Sequence, residues 1–215
     1  PAENLRVVAS LFPFMAGILV PEEIGATSYE NLKGLKVPRF PDGSLGDFII
    51  RAALNAGGLT YEDVVEVPVA NFPRMFDAMK QGQTDISIAA VGSKPTYDIE
   101  AARGEIMFLP FDPSDEAEIA EVLPGAYLRE IPASAELPGL DEPTRVFAYD
   151  YLLFANADVD DALVRAVAQA LYEGGEALKA TSPLWREYDP STLGKAIPLE
   201  YHPAAAAYYA EVGAN

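Results

Sequence analysis

Between Asn31 and Asp63 the chain reads NLKGLKVPRFPDGSLGDFIIRAALNAGGLTYED: a short apolar strand, a Pro/Gly loop, then an amphipathic segment closed by Gly57-Gly58. A strand feeding a helix through a short loop restricts the fold to helices packed on a sheet, because neither element buries its apolar side alone. Leu45, Phe48, Ile49, Ala52, Ala53 and Ala56 recur at three- and four-residue spacing, which predicts the helix. Ser44 stands at its N-cap, with Asp47 three residues on, where a capping box places an acid. The same helix start offers unsatisfied N–H groups and the positive end of the macrodipole, so Asp42-Gly43-Ser44-Leu45-Gly46-Asp47 can also cradle a carboxylate or another anion. Helix cap and ligand cradle both fit the spacing.

The alternation continues along the chain. Residues 5 to 20 read as an apolar strand with a Phe12-Pro13 break, and Glu22 to Asn31 as a polar connection. Lys36–Arg39, Val64–Val67, Asp85–Ala90 and Ile106–Pro110 read as strands. Between and after them, Phe72, Met75, Phe76 and Met79 mark a helix stopped by Gly82, and Thr96–Arg103 and Ser114–Leu123 are helical. Such alternation predicts a mostly parallel sheet covered on both faces. The Pro- and Gly-rich stretch from Gly125 to Thr144 is expected to cross back between two lobes, Val146–Ala155 to form a second long strand, and Asp158–Lys179 one long helix. A last helix starts at Pro203. Two long connecting strands are what a two-lobed clamp needs for a hinge.

Composition removes several classes of function. Fifteen basic against thirty-three acidic residues give a formal net charge of −18, and such a surface repels nucleic acid. No apolar run reaches the length of a bilayer span, so the chain does not cross a membrane by itself. The absence of cysteine removes disulfides, thiol nucleophiles and thiolate metal sites. A single histidine, His202, cannot build a His-based metal cluster, and ahead of Pro203 it reads as a helix start. No Walker loop, dinucleotide fingerprint or G-x-S-x-G elbow is present, so no cofactor, metal or catalytic residue is assigned. In a chain this acidic, pairs such as Glu22-Glu23 and Asp160-Asp161 read as solvated faces.

The motifs LKGLKV, DGSLGD and AGGLTYEDV, in that order, resemble the start of the second lobe in the TAXI family of TRAP-transporter solute-binding proteins, where the usual pattern is DLKGKRV, GSGTE and AGLTYDDV. Asn4-Leu-Arg-Val-Val-Ala-Ser-Leu-Phe-Pro13 is similar to that family's crossover strand, LRALASLYP. Ile197-Pro-Leu-Glu-Tyr-His-Pro203, followed by Tyr208-Tyr209, is similar to its closing IPLHPGAERYY, His-Pro included. The resemblance implies an α/β fold of the type II periplasmic-binding-protein kind, two α/β lobes joined by hinge strands. Residues 1–32 would be a crossover strand and remnant of lobe 1, 33–143 lobe 2, and 144–215 the second hinge strand and C-terminal helices of lobe 1. It also implies a first lobe incomplete at its N-terminus, with one wall of the solute site absent and weak binding by this chain alone.

The function implied is non-enzymatic, extracytoplasmic capture of a small organic anion, an amino acid such as glutamate or a carboxylate such as 2-oxoglutarate, for TRAP membrane permease subunits. The alternative is a sensor or surface antigen on the same clamp. Gly43, Ser44, Gly46 and Asp47 would form one ligand loop, although Leu45, Gly46 and Asp47 depart from the usual Gly, Thr and Glu. Arg39 is the best-placed cation for a carboxylate, with an ion pair to Asp42 or Asp47 as its other reading. Gly92 and Ser93 end the third strand, where open α/β sheets gather ligands. Phe12, Tyr149 and Tyr151 lie on the two crossover strands and would either close over a solute or fill a core.

Overall fold

The structure, a computed structural model, describes residues 3–215 apart from the side chain of Pro183. In chain order its elements are β1 (Leu5–Pro21), β2 (Lys36–Arg39), α1 (Leu45–Ala56), β3 (Val65–Pro68), α2 (Phe72–Lys80), β4 (Ser87–Ala90), α3 (Lys94–Arg103), β5 (Ile106–Phe108), α4 (Glu116–Val122), β6 (Tyr127–Ile131), β7 (Thr144–Asn156), α5 (Asp161–Glu173), α6 (Gly175–Lys179) and α7 (Pro203–Val212). The expected α/β class is what the structure shows. Its backbone falls into two compact units, Pro1–Phe14 with Asp150–Asn215, and Met15–Tyr149. The chain therefore passes between units twice, inside β1 and inside β7. The sequence reading divides the chain at 32/33 and 143/144; in the structure each connecting strand is one continuous element whose two halves serve different cores.

The larger sheet has the order β4-β1-β7-β6, with β5 also on β1. Here the predicted parallel sheet is corrected: β1 with β4, β1 with β5, and β6 with β7 are all antiparallel. Parallel pairing is found for β2 with β3, which form a separate two-stranded sheet. The reason is the length of β1, whose far half receives two returning segments, so that Leu19 pairs with both Ser87 and Phe108. The helices still alternate with strands, but the strands return to β1 against its direction. Nor does β1 break at Pro13; the fixed φ of proline is compatible with extended backbone.

Two further expectations change. The Pro- and Gly-rich stretch does not cross between units: it contains β6, which pairs with β7 from Tyr127 opposite Ala148 to Ile131 opposite Thr144, inside the second unit. The long helix after Asp158 is two helices, because Gly174 ends α5 with its N–H on the Ala170 carbonyl.

Each unit has its own core. In the first, Val8, Phe12, Val164, Ala168, Tyr188 and Tyr209 are buried together. In the second, Leu19, Met79, Ile99, Ile106, Phe108 and Val146 are. The end of α1 shows how tightly this second unit is fitted. A Cβ built on Gly57 would lie 2.4 Å from the Tyr29 carbonyl oxygen, whereas Gly58 is surrounded by open space but holds φ at +65°. The two glycines thus close the helix for different reasons, one steric and one conformational.

Gly57→Ala is expected to destabilise the second unit by about 2–3 kcal/mol through backbone overlap, and Gly58→Ala by about 1 kcal/mol through left-handed strain. Urea unfolding followed by circular dichroism measures both, and equal losses would contradict the close approach at Gly57.

Candidate functional site

β2 ends at Arg39, the chain turns through Phe40–Gly43, and α1 starts at Leu45 behind the Ser44 N-cap. The Ser44 hydroxyl accepts the Asp47 N–H at 3.3 Å, as the cap reading requires. Asp47 does not complete a capping box. Its carboxylate points into the protein, and the residue is 1% exposed. One oxygen accepts from Arg39 Nη1 at 2.7 Å and from the Tyr61 hydroxyl at 3.2 Å. The other accepts the Gly43 N–H at 3.1 Å and Arg51 Nε at 3.0 Å. Four donors fill the acceptor capacity of one carboxylate.

Burial alone would raise the Asp47 pKa, but the Gly43 N–H and the Arg51 guanidinium outweigh it, and the net shift is downward from 3.8. Tyr61 is pushed up to about 12, chiefly by its own burial. Its hydroxyl therefore stays protonated as a donor to Asp47.

Arg39 is committed. Besides Asp47 it is paired with Asp42, its Nε lies 3.1 Å from Glu66, and its guanidinium sits 4.0 Å from the Tyr61 ring centroid. Of its two readings, the ion pair is the one the structure contains. Gly46 is likewise a packing residue, since a Cβ there would approach the Phe40 ring to 2.5 Å. Gly43 has open space around its Cβ position and φ +75°, so its role is the turn that aims its N–H at Asp47. At the helix start the N–H groups of Leu45 and Gly46 have no intrahelical acceptor; Leu45 is exposed and Gly46 is buried.

The second predicted turn is separate. After β4, Gly92 adopts φ +71° and Ser93 caps α3. The Ser93 hydroxyl lies 3.1 Å from that of Thr96, which donates to the Ala90 carbonyl at 3.0 Å. The predicted aromatics divide between units. In the first, Tyr151 stacks on Phe12 at 5.5 Å and on Phe14 at 5.4 Å, and the Trp185 edge meets Phe12 at 4.9 Å. Phe12 is core, while Tyr151 remains 48% exposed. Tyr149 belongs to the second unit and stacks on Phe147 at 6.3 Å.

Three residues in the Asp47 cluster carry no assignment from sequence: Arg51, Tyr61 and Glu66. Arg51 had a signal, being four residues after Asp47 on one helix face. Tyr61, in the turn beyond α1, and Glu66, on β3, are brought in by tertiary folding alone. His202 is the N-cap of α7, its Nδ1 accepting the Ala204 N–H at 3.4 Å, as the His-Pro pattern predicts. Among the described residues no group of three or more His, Cys, Asp or Glu side chains is placed to hold a metal ion. No helix among them is long and apolar enough to cross a membrane.

An α/β chain of two units, each with its own core, thus carries a locked loop at a helix start. Residues 1–213 match the NMT1-like family model, and the chain belongs to that family. Among solved structures it is similar to the periplasmic aliphatic sulphonate binding protein SsuA of Escherichia coli, at 20% identity and a TM-score of 0.46, over 97% of this chain and 59% of that one. It is also similar to the alkanesulfonate-binding protein SsuA of Xanthomonas axonopodis pv. citri, bound to MOPS, at 17% identity and a TM-score of 0.48, over 96% and 59% of the two chains. A third is a mutant of ArgBP from T. maritima, at 15% identity and a TM-score of 0.42, over 86% and 62%. The chain spans about half to three-fifths of the length of the solved proteins it matches, from 48% to 62%.

Asp47→Asn is expected to cost about 3 kcal/mol, because two guanidinium groups lose a buried partner. The depressed pKa of Asp47 sets the sign of the pH effect. Its contribution is present above the unfolded value near 3.8 and is lost as pH falls through the lower folded value. Stability curves of wild type and variant, from urea melts between pH 6 and the acid limit, should therefore converge below about pH 4. Parallel curves would contradict this assignment.

Proposed function

We propose that this chain is part of an extracytoplasmic, periplasmic solute-binding protein that captures a small organic anion, an amino acid such as glutamate or a carboxylate such as 2-oxoglutarate, and passes it to a membrane transporter. The observation that carries the reading is the loop held at the open N-terminus of α1. Asp47 fixes that loop from within through Arg39 and the Gly43 N–H, while the helix starts at the exposed Leu45 with first-turn N–H groups that have no intrahelical acceptor. Loops at the carboxyl ends of strands are where open α/β folds gather ligands, and the loop after β2 and the Gly92-Ser93 turn after β4 both occupy such ends.

The roles follow from what is already spent. Arg39 and Asp47 position the loop. The Ser44 hydroxyl and the N–H groups of Leu45 and Gly46 bind the anion, with Gly92 and Ser93 as further contacts. The order of motifs along the chain supports the TAXI-type, TRAP-transporter form of this reading, and family membership supports the general one. Binding without turnover fits a chain whose one histidine is a buried helix cap.

The test uses the backbone itself. Ser44 is already extended, with φ −79° and ψ 161°, so Leu45→Pro is compatible with the helix start and deletes one N–H. Small molecules carried by the purified full-length protein, identified by mass spectrometry, name the solute, and calorimetry then compares variants. Leu45→Pro is expected to weaken carboxylate binding about tenfold, or ~1.4 kcal/mol, with melting temperature unchanged. Unaltered affinity, or the absence of any bound carboxylate, would overturn the assignment; uptake that needs permease genes of another transporter class would overturn its TRAP form.

A further inference from the structure

The first unit carries a basic feature that the preceding reading does not use. In a chain with thirty-three acids and fifteen bases, arginines sit against carboxylates; in this unit Arg6 meets Glu200 and Arg165 meets Glu211. Arg186 has no such ion pair among the described residues. It borders an open surface cavity of about 480 Å³ whose described lining residues are Lys179, Ala180, Thr181, Ser182 and Arg186, none of them acidic.

The second cation of that wall is also loosely held. Lys179 lies 3.8 Å from Glu176, whose side chain is 97% exposed, and an ion pair of that length between solvated groups contributes little. The carboxylate of Asp189 accepts the N–H and hydroxyl of Ser191 at 2.9 and 2.7 Å, stays charged, and acts on Lys179 as well. Ser182 accepts the Leu184 N–H at 3.3 Å, which leaves its hydroxyl hydrogen to donate. The Thr181 hydroxyl is turned to the Leu178 carbonyl at 2.6 Å and shapes the wall without offering a proton. The unpaired Arg186 fork, with Lys179 and one free hydroxyl donor beside it, suits a small oxyanion. The acidity of the whole chain does not cancel this pair, because charges beyond about 8 Å are largely screened at physiological salt.

We infer that the cavity between Lys179 and Arg186 is a binding site for a small tetrahedral oxyanion of the phosphate type, free or as the headgroup of a small organic phosphate. It lies in a different unit from the Ser44 loop and does not depend on the function proposed for that loop.

The chain supplies its own reporter. Trp185 is the sole tryptophan, precedes Arg186, and packs against Phe12 at 4.9 Å and Tyr188 at 5.4 Å. The Trp185 indole N–H resonance is followed by heteronuclear NMR while the full chain is titrated with sodium phosphate, and separately with glycerol 3-phosphate, at ionic strength held constant with chloride. A saturable shift with a midpoint on the order of millimolar is expected for phosphate. Arg186→Gln and Lys179→Gln should each raise that midpoint about tenfold, with Arg186→Lys intermediate. Tighter binding of the organic phosphate supports the headgroup form and equal binding the free ion. A shift that never saturates, or one unchanged in Arg186→Gln, overturns the site. Leu45→Pro should leave the titration unaltered, which separates failure here from failure of the solute reading.

Discussion

A carboxylate taken out of water must recover its lost hydration, and at Asp47 the second unit does this with donors from four places in the chain. β2 sends Arg39, the following loop sends the Gly43 N–H, α1 sends Arg51 one turn on, and the turn after α1 sends Tyr61. The desolvation cost of such an ion amounts to several kcal/mol, and it is offset only while all of these partners hold their geometry. The loop between β2 and α1 is thereby fixed to the segments on either side of it. Arg39 extends the constraint to β3, through Glu66. What the loop presents outward is decided by what Asp47 holds inward.

The second constraint is the length of β1. A strand of 17 residues can belong to one core at its start and another at its end. Its far half is buried and closely approached: a Cβ on Gly17 would meet Phe108 at 3.0 Å and Val146 at 3.1 Å. Packing of this kind favours a strand with neighbours on both edges, and β4 and β5 supply them by returning antiparallel. β7 repeats the device in the second connection, with a buried half paired to β6 and a half-exposed end in the first unit. Each unit then closes its own apolar cluster, one around Tyr188 and Tyr209 and one around Phe108 and Met79.

Local chemistry was legible in the sequence wherever neighbours along the chain decide it. α1 follows from its apolar spacing, Ser44 from its place ahead of that spacing, and the start of α7 from His202-Pro203. Strand direction was not legible, because helices alternating with strands read alike whether the strands return parallel or antiparallel; only the pairing partner tells. The stretch before Thr144 looked like a crossover since Pro and Gly mark turns, yet Tyr127–Ile131 between them is a strand that needs β7 to be recognised. At the site, Asp47 in a capping-box position reads as a cap. Of its partners, Arg39 and Arg51 lie within eight residues and carry a sequence signal, whereas Tyr61 stands too far along the chain for spacing to find it.

The distinction between helix cap and ligand cradle dissolves once the donors are assigned. A helix start has more unsatisfied N–H groups than one residue can serve. Ser44 takes that of Asp47, and Asp47 takes that of Gly43, so these two bonds leave the N–H groups of Leu45 and Gly46 without a capping acceptor. Because Arg39 is balanced by Asp42, Asp47 and Glu66, an anion arriving at this helix start would meet backbone dipoles, not a free guanidinium. Recognition by dipoles carries no large desolvation penalty and no fixed bidentate geometry. Under the proposed function, discrimination among carboxylates falls to the shape of the surrounding side chains, and Leu45, in the place where the resembling family has glycine, stands next to the donors proposed to bind.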